Sequence, residues 1–228
     1  MSDDEMTPCL RATEFLDHES PRIREFVARS VQDSSAGDPV RQVVDLYYAV
    51  RDGLFYEVYG ADLSRTGLSA SSVLAAGQGF CLHKSVLFAA AVRAVGVPSR
   101  LVYADVRNHL ASDRLKELIG GDVFFHSLTS VYLGGRWLRA TPVFNELLCR
   151  LYGMPALDFD GVTDSQYHPY DSSQETSAQM EFLKEHGEFD DLPYEFVMSS
   201  MRLLHPRFLD GLSTVAGGSL ATEANSHA

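Results

Sequence analysis

One tryptophan, three cysteines and 19 basic residues among 228 leave several classes of protein without their raw material. Binding to nucleic acid or to an anionic membrane needs a basic face. Here Lys and Arg are outnumbered by 31 Asp and Glu, the formal charge is −12, and no basic stretch breaks the pattern. Neither partner is expected. A membrane-spanning helix needs about 20 apolar residues in succession, and the longest run, Val86 to Val92, is far shorter. The opening residues, MSDDEMTPCLR, are acidic and lack the apolar core of a secretory signal, so a cytoplasmic location is expected. Cys9, Cys81 and Cys149 are odd in number and form no CxxC pair. That fits neither a disulfide framework nor a zinc site, which leaves three free thiols and no metal.

What is present has ordinary globular proportions, with 45% apolar and 22% charged residues and enough length to bury one sizeable core. Residues 1–12 read as a disordered N-terminus, 13–205 as one domain with its core at 40–145, and 206–228 as a disordered tail of small and polar residues. Ser20–Pro21 and Asp38–Pro39 are each an N-cap followed by a first-turn proline. Apolar residues at helical spacing follow both: Ile23, Phe26 and Val27, then Val40, Val43, Val44, Tyr47 and Tyr48. Leu54 to Ala70 has no sustained period, and a short helix is expected over Ser72 to Ala76. Leu82 to Val95 is almost wholly apolar and predicts a helix buried on most sides, stopped by Gly96 and Pro98. Arg100 to Val106 alternates as a strand does. Phe124 to Leu133 and Arg136 to Thr141 predict two strands joined at Gly134–Gly135, a dipeptide suited to a two-residue hairpin turn. Helices are also predicted at Leu110 to Ile119, Glu146 to Tyr152, Gln179 to His186 and Pro193 to Leu204, with an irregular stretch from Met154 to Ser177.

Cys81 falls at the start of the central helix, where unpaired N–H groups and the helix dipole favour a thiolate. The bland alternative is a small buried hydrophobe. A cysteine nucleophile needs a base, and that base needs an orienting group. His126 lies within the hairpin, and its register follows from the turn: if Leu133 pairs with Arg136, each cross-strand pair sums to 269. His126, Thr141 and, if the chain stays extended, Asn145 then share one face. Thr141 or Asn145 could accept the imidazole N–H. Gln78 could aim its amide at an oxyanion beside the Cys81 N–H, or simply serve the turn. His83 and Lys84 are expected on the solvated part of the helix. His109, His168, His186 and His205 lack metal-ligand spacing and are read as structural or surface residues. The acids of Leu157 to Gly161 are read as capping their own turn.

Gly79-Phe80-Cys81, Ser85 and the run Arg93-Ala94-Val95-Gly96-Val97-Pro98-Ser99-Arg100, followed by a strand, resemble the core of the transglutaminase-like superfamily. A second block, His126, Gly135-Arg136-Trp137 and Thr141-Pro142, is similar to that family's histidine strand and its neighbour. The resemblance implies an α+β, papain-like or transglutaminase-like cysteine-protease fold, with helices packed against a small antiparallel sheet. It also implies Cys81 as nucleophile and His126 as base. Active members usually carry aspartate where this chain has Thr141. A threonine would orient the ring but stabilise an imidazolium less. Asn108-His109-Leu110, Thr141 to Asn145 and Phe159-Asp160-Gly161 also resemble the NHL, TPxFN and FDG elements of a group of bacterial transglutaminase-like proteins.

The expectation is thiol-dependent acyl transfer on an amide or ester, with no cofactor and with water favoured over an amine as acceptor. The substrate would be a peptide, a protein or a small amide. The alternative is a catalytically silent binding module, motivated by the missing aspartate. The residues leave the oligomeric state open.

Overall fold

The structure is a computed structural model that describes residues 6–31, 36–108, 116–117, 119–151, 155–166, 180–211 and 219–220. Helix α1 (Pro21–Ser30) begins where the Ser20 hydroxyl accepts the Ile23 N–H, and α2 (Pro39–Gly53) where the Asp38 carboxylate accepts those of Val40 and Arg41. Of the predicted stripe on α2, Val43 and Tyr47 are buried and Val40, Val44 and Tyr48 pack partly buried against the core, with Leu46 and Val50 completing the inner face. Strands β1 (Phe55–Tyr56) and β2 (Gln78–Gly79) pair in parallel around a short helix, α3 (Ala70–Ala76).

Helix α4 (Cys81–Ala94) is the axis of the fold, buried at every position from Cys81 to Arg93. It has no polar stripe because it has no wet face: α1, α2 and α3 cover one side and the sheet covers the other. At its start the backbone comes close to the preceding strand. A Cβ added to Gly79 would stand 2.6 Å from His83 Cβ, which accounts for the glycine two residues before Cys81. At its end the buried Arg93 guanidinium donates to the carbonyls of Arg11, Ser99 and Asp190 and to the Ser99 hydroxyl, tying the helix to three other segments.

The helix also corrects one expectation. His83 and Lys84 are not solvated; Lys84 is 0% exposed. Its ammonium donates to the carbonyls of Arg51 and Leu54, at 2.8 and 2.9 Å, which the end of α2 leaves without helical partners. His83 Nε2 is 3.0 Å from the Asp62 carbonyl oxygen. Helical spacing reports amphipathicity only when one face meets water, and this helix has none. Burial pulls the Lys84 ammonium down to about 7 and the His83 imidazole down to about 4.

The sheet has the order β5-β4-β3-β6, with β3 (Ser99–Asn108), β4 (Val123–Leu133), β5 (Arg136–Ala140) and β6 (Met180–Phe189), every pair antiparallel. Gly134 and Gly135 turn the β4–β5 hairpin with φ of 56° and 83°. Its register is the one the turn dictates, from Leu133 opposite Arg136 to Thr129 opposite Ala140. β6 replaces the helix expected at Gln179 to His186. Met-Glu-Phe-Leu-Lys-Glu has good helical propensity, but the free edge of β3 offers a ladder, and Arg107–Glu181 and Arg139–Glu185 ion pairs at 2.6 and 2.7 Å anchor the charged side chains.

Odd-numbered residues of β4 face α4, as the Thr129 hydroxyl donating to the Ser85 carbonyl shows. Even-numbered ones face a smaller apolar cluster that includes Ala104, Val106, Phe144 and Phe182. Helices α5 (Glu146–Leu151), α6 (Tyr194–Leu204) and α7 (Pro206–Gly211) complete the described elements. Ordered structure reaches beyond the domain limits expected from composition. Thr7–Cys9 forms a 3₁₀ turn with Cys9 buried, and Phe208 and Leu220 belong to the core. The helix expected over Leu110 to Ile119 falls mostly outside the described residues, as do His109 and His168.

Candidate active site

The site is built at a point where the sheet runs out of partner. β5 pairs with β4 from Thr129 to Leu133, so residues 123–128 have β3 on one side and, among the described residues, no strand on the other. Peptide groups alternate in direction along a strand, and those of Phe125 and Ser127 point to the open edge. A thiol and an imidazole occupy it. Cys81, the first residue of α4, holds its Sγ 3.9 Å from the Phe125 carbonyl oxygen, and the Ser127 N–H lies on the same side of the strand, where it favours a thiolate. His205 Nε2 accepts the Phe125 N–H at 3.0 Å, while its Nδ1–H donates to the Ile119 carbonyl at 3.1 Å, which fixes the tautomer.

Cys81 and His126 line one cleft of about 480 Å³, open solvent at its mouth included, together with Tyr56, Phe124, Met201 and Phe208. The two side chains are 5% and 4% exposed. Burial pushes the Cys81 thiol up to about 11, although the N–H groups of Ser127, Leu82 and Cys81 itself favour the thiolate. Burial likewise pushes His126 down to about 4, with nothing opposing it. Each group therefore rests neutral, and His126, an even-numbered residue of β4, lies on the sheet face turned away from α4, its ring 6.3 Å from that of Phe182, so the two share the cleft without a hydrogen bond between them. The helix terminus does favour a thiolate, as position along the chain implied, but desolvation is the larger effect.

The other candidates lie elsewhere in the neighbourhood. Thr141 is buried, and its hydroxyl has no hydrogen-bond partner among the described residues; only its carbonyl is engaged, accepting from Tyr47 at 3.2 Å. Asn145 Oδ1 accepts the Tyr56 N–H at 3.3 Å and so holds β1. Gln78 is exposed and, with Asn145, lines a second cavity of about 510 Å³, open solvent included, that shares Tyr56 as a wall with the first. In the Phe159-Asp160-Gly161 turn, Asp160 accepts the N–H groups of Val162 and Thr163, the self-capping expected of it. His186 is paired with Asp105 at 2.8 Å. His205 is the residue that sequence reasoning passed over, because nothing local to Leu204-His205-Pro206 signals a role. The open edge it serves was legible, since the first strand of the hairpin was predicted longer than the second.

The profile of the transglutaminase-like superfamily matches residues 26–142, just over half of the sequence. The chain belongs to the transglutaminase-like superfamily. Its α+β architecture, a helix-wrapped small antiparallel sheet, is that of this superfamily. A crystal structure described as that of a "putative cysteine protease" from Cytophaga hutchinsonii is similar at 19% identity and a TM-score of 0.46. The similarity covers 62% of this transglutaminase-like chain and 43% of the other. No curated protein matches. Among the described residues of the transglutaminase-like chain, no cluster of three His, Cys, Asp or Glu side chains is placed to hold a metal ion, and no helix is long and apolar enough to cross a membrane.

Proposed function

We propose that this protein is a thiol-dependent acyl-transfer enzyme that forms an acyl-enzyme on Cys81, with His126 as general base and then general acid. The observation that supports this most is the shared cleft: the first residue of α4 and an imidazole from β4 line one opening, with the Ser127 N–H against the sulfur. In this scheme the Cys81 proton passes to His126 as Sγ attacks the carbonyl carbon of an amide or ester. The resulting oxyanion is met by the Cys81 N–H. Gln78 is a second donor only for a substrate that reaches across Tyr56 into the neighbouring cavity. The C–N or C–O bond breaks as His126 returns its proton to the leaving group, and water then releases the acid and regenerates the thiol. The Thr141 hydroxyl is the better-placed third member, because Asn145 already spends its oxygen on Tyr56. Three free cysteines suit a reducing, cytoplasmic setting.

A second reading, a binding module without catalysis, draws support from the low-lying His126 and from its having no acid beside it among the described residues. Alkylation against pH separates the two. Between about 4 and 11 an interacting Cys81–His126 pair keeps a constant fraction in its thiolate–imidazolium form. The enzyme reading therefore expects Cys81 to react with iodoacetamide at a nearly flat rate from pH 5 to 9, far faster than Cys9 or Cys149 at pH 6 to 7. His126→Ala should turn that plateau into a tenfold rise per pH unit. A rise of that size in the unaltered protein, with all three cysteines alike, removes the enzyme reading.

A further inference from the structure

The cleft is polar where it touches the sulfur and apolar everywhere else. Val58, Val106, Ile119, Phe124, Met201 and Phe208 supply its walls, and among the described residues no carboxylate, ammonium or guanidinium lines it. The two imidazoles offer little to a charged ligand. Burial holds both neutral-favouring, and both nitrogens of His205 are already bound to the backbone. A charge entering here would lose its water and find no counter-ion, a heavy cost. The neighbouring cavity, across Tyr56, is mixed: Glu57, Gln78 and Asn145 line it beside Phe55 and three leucines.

From this difference we infer that the enzyme proposed above selects substrates whose acyl group is uncharged and apolar. That group sits against Phe208, and the leaving group lies on the side of Tyr56 that faces Gln78 and Asn145. The inference rests on Cys81 being the nucleophile. Phe208 is the specificity-determining residue. It comes from the short last described helix, is buried, and sets its ring at 88° to that of Phe80, 5.7 Å away and one residue before the nucleophile. Each methylene moved from water into such a wall is worth about a fourfold gain in rate or affinity.

The test uses one warhead with different appendages: N-(2-phenylethyl)-, N-butyl-, N-(2-carboxyethyl)- and N-(2-aminoethyl)iodoacetamide. The rate at Cys81 of the full chain is measured by peptide mass spectrometry and divided by the rate of each reagent with glutathione. The phenylethyl reagent should outpace the two charged ones by about a hundredfold, with the butyl reagent between. Phe208→Lys should reverse the ranking for the carboxyethyl reagent alone, and Val106→Lys, at another residue of the lining, is the second variant should the first fail to fold. Equal normalised rates across the four reagents in the unaltered protein overturn the inference without any variant. His126→Ala distinguishes this failure from that of the proposed function. It should slow all four reagents and leave their ranking intact, whereas a ranking that persists with no slowing overturns His126 as base and keeps the apolar pocket.

Discussion

The two halves of β4 have the same neighbour on one side and differ on the other. From Thr129 to Leu133 the strand is closed by β5, and its outward peptide groups end in a ladder. From Val123 to Leu128 the same edge is closed by side chains: the Cys81 sulfur against Phe125 and Ser127, and His205 against the Phe125 N–H. Buried backbone groups must be satisfied by something. The difference teaches that the candidate site is the satisfaction of an interrupted sheet, so the groups that complete the structure are also those that hold the reactive atom.

Substitutions separate the halves. The largest expected effect is that of His126→Ala, which should lower Cys81 alkylation at pH 7 by about 10²- to 10⁴-fold, the range of general acid–base contributions. Leu133→Ala, in the paired half, should cost about 3 kcal/mol of stability by urea denaturation and leave the ratio of Cys81 to Cys149 labelling unchanged. Acid should strike the unpaired half first. His126 is held near 4 and His205 below its ordinary value, whereas in the unfolded chain both titrate near 6.5. Their neutral forms contribute fully above pH 6.5, and the contribution is lost as pH falls toward 4. Amide exchange at Phe125 and Ser127, corrected for its intrinsic pH dependence, should therefore accelerate through that window before exchange at Val131 does. His205→Ala leaves the Phe125 N–H without its acceptor and should cost about 1 to 3 kcal/mol, with His205→Gln recovering part of it and of the Cys81 rate. Thr141→Asp should have the smallest effect and the opposite sign. A carboxylate beside the ring raises the His126 value and should speed Cys81 alkylation about tenfold at pH 6.

Much of this arrangement was legible in the residues. Gly134–Gly135 set the register of the hairpin, and the apolar run after Cys81 set the central helix, because both are consequences of local spacing and turn chemistry. Two things were not. Glu181, Lys184 and Glu185 suit a helix until the unpaired edge of β3 and its arginines are in place, a contact between segments more than 70 positions apart. Lys84 looks solvated until the end of α2 presents it with two carbonyls. The same limit applies to the thiol. Helical position tells which charge state the backbone prefers, but the depth of burial is a property of everything packed around it, and here that is the larger effect.

The sulfur and the imidazole on the β4 edge also govern how the protein meets other chains. An uncovered strand edge is a template onto which a foreign strand can be laid, the first step of sheet-mediated aggregation. At Phe125 that template is withdrawn, since its N–H is taken by His205 and its carbonyl meets the Cys81 thiol. Any agent that draws α4 or the end of α6 away from the sheet exposes adhesive backbone in the same event.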